Sequence, residues 1–156
     1  MTDERLHEVR YLDVDIVTFN ELQSHNDAVV RDMVLAAGAP EGAGGNVSIK
    51  ALGASSRFMG EKRQELRAQA DRALEEHRPV AALVVHYTED QARVALEWMQ
   101  LLEGADELTR RGELLAPLPS PEVVHMRRWL AEQLRAQVLE GRAPERYVGP
   151  DRHASR

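Results

Sequence analysis

The stretch TEDQARVALEWMQLLEGADELTRRG, residues 88–112, decides the fold. Thr88 and Gln91 have the spacing of a capping box, so a helix begins there, and Gly112 is a typical C-terminal stop. Most of the circumference between these ends is apolar: Val94, Ala95, Leu96, Trp98, Met99, Leu101 and Leu102. A helix of this kind is normally surrounded by other elements, so this one is predicted to be the central helix of a bundle.

Three further helices are predicted, two before it in the chain and one after it. Asp13 or Asp15 can cap a helix that extends to about residue 37. Four glycines and a proline make residues 38–47 the clearest break in the chain, and a second long helix is expected at about residues 60–77. The last helix begins at Ser120-Pro121 and extends to about residue 140.

Smaller features complete these helical predictions. Ser48 is expected to cap one short turn, which Gly53 interrupts. His77 is placed in the last turn of the second helix, where a cation is favourable. The apolar stripe of the last helix is predicted to be Val123, Met126, Leu130, Leu134 and Val138.

Two short segments have the composition of strands. Residues 80–87, VAALVVHY, are rich in β-branched side chains, and residues 9–14, VRYLDV, roughly alternate apolar and polar. A lone strand leaves its backbone groups without partners, so the two are expected to pair. The predicted fold is therefore mainly α, a four-helix bundle-like single domain over residues 1–148 with a small two-stranded β ribbon. Residues 149–156 are expected to be a disordered tail.

The composition restricts the classes of function. The chain has 156 residues and a net charge of −6, which disfavours a general nucleic-acid binder. It contains no cysteine, and therefore neither disulfides nor thiolate metal sites. No signal peptide and no apolar segment of about 20 residues is present, so a cytoplasmic location away from membranes is expected.

No arrangement of residues identifies a catalytic chemistry. The P-loop, nucleophile-elbow and HExxH patterns are missing, and the six histidines lack the usual zinc spacings. His86 with Glu89 and Asp90 is the nearest approach to a metal site, but the two acids also favour the start of the following helix. His125 is interpreted as a solvated surface residue. We therefore expect no enzyme activity, metal or cofactor.

The first helix carries the most interesting polar residues. A rotation of about 100° per residue places Asn26 near the centre of the buried face, with His25 at its edge. Asp27 and Arg31 face outward as an i, i+4 pair. The simpler interpretation is an Asn26 side chain hydrogen-bonded inside the core. The alternatives are a polar pocket or docking site at His25, Asn26 and Arg31, and a phosphoacceptor role for His25 in the sequence SHND.

Two stretches resemble a known group of proteins. They are LQSHNDAVVRDMVLAA in the first helix and, most specifically, ADELTRRGELL (105–115) followed by SPEVVHMRRWLAEQ (120–133). Together they resemble uncharacterised actinobacterial helical proteins that accompany anti-sigma-factor ATPases and STAS-type antagonists in partner-switching systems. The resemblance covers about half the chain. Asp32 stands where the group has glutamate, and residues 38–56 are richer in glycine.

The resemblance implies a regulatory protein that acts through contacts, and no catalytic residue carries over from it. The leading prediction is a non-enzymatic signalling or transcription-regulatory module that binds another protein of such a system, with a homodimer as a further possibility. It predicts an exposed apolar patch or a dimer face, for which the helix at residues 120–140 is the candidate. A histidine phosphotransfer protein requires an exposed His25. A small-molecule sensor requires a cavity of roughly 300 Å³ or more near Asn26 and Trp98.

Overall fold

The computed structural model describes residues 5–37 and 46–150. The elements in chain order are β1 (His7–Asp15), α1 (Ile16–Ala37), α2 (Asn46–Glu75), β2 (Val80–Tyr87), α3 (Glu89–Arg110) and α4 (Pro121–Leu134), which continues as a π-helical segment (Arg135–Leu139). The fold is a mainly α single domain with a small β ribbon, as predicted. No helix in the described ranges is long and apolar enough to cross a membrane.

The two strands form the predicted ribbon and cover one end of the bundle. They pair antiparallel, from His7 opposite Tyr87 to Asp15 opposite Val80. A bulge interrupts the register after Tyr11, and Asp13 there has a φ of 55°. The bulge leaves the Leu12 carbonyl free to accept a hydrogen bond from the Tyr147 amide at 2.9 Å. The ribbon is thereby fixed to the C-terminal segment.

Helix α3 is the central helix that its sequence predicts. Thr88 and Gln91 form both hydrogen bonds of the capping box, and Gly112 has a φ of 77° just beyond the helix. Its buried residues are Ala92, Ala95, Leu96, Trp98, Leu102, Ala105 and Asp106. The core around them is largely aliphatic, as the scarcity of aromatic residues implies. Only the buried Asp106 is unexpected.

Helix α2 corrects the sequence prediction. It is one 30-residue helix from Asn46, whereas we expected a break up to residue 47, a short turn after Ser48 and a new helix at residue 60. A single Gly53 costs only about 1 kcal/mol in a helix interior, and each added residue of a formed helix gains one hydrogen bond. Residues 38–45, the rest of the predicted break, lie outside the described residues.

The end of α2 also differs from the prediction. His77 lies beyond the helix, with a φ of 58°, instead of in its last turn. Its amide donates to the Leu74 carbonyl, and the Arg78 amide donates to the Ala73 carbonyl at 2.8 Å. These two bonds define a Schellman motif, whose left-handed position usually belongs to glycine.

Helix α4 begins as predicted, with Ser120 as N-cap and Pro121 in the first turn, and its whole apolar stripe is buried. The expected exposed patch on this helix is therefore not there. His125, predicted to be solvated, is partly buried, and its Nε2 lies 2.9 Å from the Val148 carbonyl oxygen. The tail predicted to be disordered begins at residue 149. The structure describes the chain as far as residue 150, so residues 151–156 of this tail lie outside the described part.

Candidate functional site

Three helices place a polar cluster inside the core. His25 of α1, Asp106 of α3 and Arg127 of α4 are only 8%, 5% and 3% exposed. Arg127 Nη2 donates to Asp106 Oδ2 at 2.5 Å. His25 Nε2 lies 3.7 Å from Asp106 Oδ1, beyond hydrogen-bond distance but close enough for an ionic interaction. These three residues are called the buried cluster below.

The opposite charges of Asp106 and Arg127 stabilise one another inside the buried cluster. Burial alone raises the pKa of the Asp106 carboxyl, but the neighbouring His25 and the Arg127 guanidinium outweigh it and lower the pKa below its ordinary value. The carboxylate is therefore ionised near neutral pH. A buried charge pair of this kind costs desolvation energy, so it is weak evidence for stability and stronger evidence for a specific arrangement of the helices.

Several buried polar atoms around the cluster have no hydrogen-bond partner among the described residues. They include Asn26 Oδ1, Trp98 Nε1, and Nε and Nη1 of Arg127. All three residues line one internal cavity of about 30 Å³. That volume suffices for a water molecule and is about tenfold below the 300 Å³ expected of a sensor pocket. A drug-sized ligand does not fit between Asn26 and Trp98 in this arrangement.

The first-helix residues singled out from the sequence have separate environments. Asn26 is 4% exposed, so its predicted burial is confirmed. His25 is not at the edge of the buried face but inside it, and its side chain is only 7% exposed. The exposed imidazole that a phosphoacceptor requires is therefore missing. Arg31 is exposed, Asn26 lines the small internal cavity and His25 borders a different opening, described below.

The expected pair between Asp27 and Arg31 is replaced by contacts between helices. The Asp27 carboxylate accepts from Arg63 and from Arg67, both on α2. Burial opposes ionisation, but these two guanidinium groups outweigh it and lower the pKa of Asp27. Arg63 also lies over the Trp98 ring, 5.5 Å from its centroid. Sequence spacing did not reveal these partners because they are 36 and 40 residues away.

An apolar groove opens on the outer side of the buried cluster. It lies between α1, the end of α2 and the segment 117–120, has a volume of about 660 Å³ and is bordered at its base by His25. Three large side chains in its lining are well exposed: Val17 (58%), Leu74 (45%) and Leu118 (51%). Glu21 is its only acidic lining residue. This surface is called the linker groove.

The wall of the linker groove is held in place by Asp32. Its Oδ2 accepts hydrogen bonds from the amides of Leu115 and Ala116, at 2.5 and 3.0 Å. Leu115 itself is 91% exposed. The two hydrogen bonds fix the backbone of this segment just before residues 117–120 of the groove. The segment therefore extends the apolar surface beside the groove.

A second, polar opening lies beside α4 and is lined by other residues than the linker groove. This cleft, about 500 Å³, is formed by α3, α4 and the π-helical segment. Its charged lining residues are Glu103, Arg127, Arg128, Glu132, Arg135, Glu140 and Arg142. It could not be predicted from the sequence, because its residues come from faces of α3 and α4 that in isolation are typical of ordinary solvated surfaces. We call it the arginine cleft.

Neither a metal site nor a known relative adds to this description. The described residues contain no group of three or more His, Asp or Glu side chains arranged to hold a metal ion. His86 contacts Glu8 across the ribbon at 3.8 Å, while Glu89 and Asp90 lie in the first turn of α3. No family model, curated protein or solved structure matches the chain.

Proposed function

We propose that this protein is a binding module that docks another protein in the linker groove. The observation that carries the proposal is a set of large apolar side chains held exposed around one concave surface, from Val17 and Leu74 to Leu118. Scattered apolar residues are normal on a surface, but a contiguous apolar groove is typical of an interaction site.

The partner segment that suits this groove is an amphipathic helix with a basic flank. Its apolar face matches the leucine, valine and proline lining, in the manner of other helix-in-groove interfaces. Glu21 is the one acidic residue among the described residues of the lining, which include no Lys or Arg, and the whole chain carries a net charge of −6. Both features favour lysine or arginine beside the apolar face of the partner.

The proposal also concerns the class of protein to which the partner belongs. The resemblance given above suggests an anti-sigma-factor ATPase or a STAS-type antagonist, and hence a role in signalling or transcriptional regulation. A second copy of this chain is the competing occupant. Since Leu115 and Leu118 precede α4 and do not lie on it, the docking surface proposed now is different from the one expected on residues 120–140.

Photo-cross-linking in the native host tests the proposal. A benzoylphenylalanine at position 118 should cross-link to a segment of one partner that has apolar residues at i, i+3, i+4 and i+7 with basic neighbours. The matched control carries the same residue at position 6, since Leu6 is 61% exposed and does not line the groove. The control should not give this product.

Charge substitutions then measure the contribution of the groove. With the cross-linked partner purified, Leu118→Glu and Val17→Glu should each weaken binding about tenfold or more, while Leu6→Glu should leave it unchanged. All three positions are exposed, so the fold should persist. Cross-links only to a second copy, or to a segment without an amphipathic pattern, would refute the proposed partner class.

A further inference from the structure

We infer that the arginine cleft binds a small organic anion through a carboxylate or phosphate group. The inference concerns a surface of α3 and α4 away from the linker groove and does not depend on the proposed partner. It starts from Arg127, which is 3% exposed and lines the cleft. Only Nη2 of this guanidinium has a partner, whereas Nε and Nη1 have none among the described residues.

A guanidinium with two unused donors is unusual inside a protein. Buried donors are nearly always satisfied, and leaving them without partners costs free energy. Arginine donates two parallel hydrogen bonds to carboxylate or phosphate oxygens more readily than any other side chain. Arg127 also lines the small internal cavity beside Trp98, so its side chain lies between this cavity and the cleft.

The other charges of the cleft support an anionic ligand. Glu103 pairs with Arg128 at 3.2 Å, and Glu140 pairs with Arg142 at 3.1 Å, so these carboxylates are engaged on the rim. Arg135 is exposed at the cleft and has no ion pair among the described residues. Glu132 is the one acid in the lining without an ion pair among the described residues. Its carboxylate can accept a hydrogen bond, so a ligand that also carries a hydrogen-bond donor is favoured.

The backbone of the cleft is adapted to this arrangement. After Leu134 the helix widens into the π-helical segment, and the Glu140 amide donates to the Arg135 carbonyl at 3.2 Å, five residues back. The Arg135 amide itself still donates to the Ala131 carbonyl, as in a regular α-helix, so Arg135 keeps its helical position beside the cleft. Ala131 and Ala136 in the lining leave depth between the arginines. The segment is the C-terminal end of the helix, and Gly141 just beyond it has a φ of 64°, the left-handed conformation that commonly terminates helices.

Titration with simple anions tests the inference. Sodium phosphate and sodium malonate are added separately to the full chain, with sodium chloride at equal ionic strength as control. We expect saturable shifts of the amide signals of Ala131, Arg135 and Ala136 in NMR spectra. At tenfold its Kd, the bound anion should also raise the melting temperature by about 3–6 °C. Saturation by phosphate alone, malonate alone or both identifies the group that is recognised.

Two exposed variants, at Arg135 and Arg110, keep the test independent of folding, and a third changes the buried Arg127. Arg135→Gln should weaken anion binding about tenfold, whereas Arg110→Gln, an exposed arginine of α3 outside the cleft, should leave it unchanged. Arg127→Lys keeps the charge but loses the two-pronged donor, so the folded variant should bind more weakly still. Equal shifts with chloride, or no saturation by about 20 mM of either anion, would overturn the inference.

Discussion

Two of the arginine–aspartate systems among the described residues have the same chemistry in opposite surroundings. Asp106 and Arg127 are nearly enclosed, with side chains 7% and 3% exposed, whereas Asp27 is 41% exposed and is shared by Arg63 and Arg67. Both carboxyl groups have lowered pKa values because guanidinium groups outweigh their burial. The two systems therefore differ in their access to water. We expect this difference, more than charge pairing itself, to determine how much each system contributes to the stability of the fold.

The largest expected effect comes from breaking the buried pair. Arg127→Met should lower the free energy of unfolding by about 3–5 kcal/mol, because it leaves the Asp106 carboxylate buried without its main partner. Denaturation in urea at pH 7 measures the change. In the double variant Arg127→Met, Asp106→Leu, most of this loss should be recovered, since no isolated charge remains. Equal losses in the single and double variants would show that packing, not charge, is responsible.

Acid should distinguish the double variant from the wild type. A carboxyl group whose pKa is lowered by folding contributes stability above its unfolded pKa, near 4, and loses it as the pH falls through its folded pKa. Asp106 makes such a contribution only in the wild type. The stability lost from about pH 5 to pH 2 should therefore be smaller in the double variant. Parallel pH profiles in this window would contradict the assignment for Asp106.

A substitution just after α2 tests an effect of backbone conformation and serves as a reference that involves no ion pair. His77 occupies the left-handed position after α2 with a φ of 58°. A β-carbon in that conformation costs about 1–2 kcal/mol. His77→Gly should therefore raise the free energy of unfolding by about 1 kcal/mol, while His77→Ala, which keeps the strain, should not. A destabilised glycine variant would indicate that the imidazole has a contact of its own.

The smallest effect is expected at the exposed system. Asp27→Asn should cost only about 0.5 kcal/mol, because a partly exposed pair is screened by water and retains little Coulomb energy. The difference between wild type and variant should shrink further in about 1 M salt, where the screening length is near 3 Å. A loss comparable with that of Arg127→Met would mean that Asp27 acts through the stacking of Arg63 on Trp98.

Local signals in the sequence were sufficient for most of the framework. The capping box at Thr88, the Ser120-Pro121 start and the β-branched segment 80–87 each act over a few residues, and each is confirmed. The predictions from the sequence were wrong where the local signal was weak and the neighbouring structure outweighed it. Gly53 does not interrupt α2, and His77 takes a position normally held by glycine.

The candidate sites depended on contacts between distant elements. Periodicity predicted a buried Asn26, and this is confirmed, but it placed His25 at the edge of the helix face. The residues around His25 come from α3 and α4, and no spacing along the chain relates them to α1. The arginine cleft was missed for the same reason: Arg127 resembles any surface arginine until Asp106 is seen opposite it.

The sequence by itself determined the helices, the ribbon and the aliphatic core, because turn chemistry and apolar periodicity operate within a few residues. Only the tertiary structure decided which charges were buried, which leucines stayed exposed and where the two openings formed. Burial depends on what the neighbouring element places opposite a side chain. That information is distributed over residues far apart in the chain.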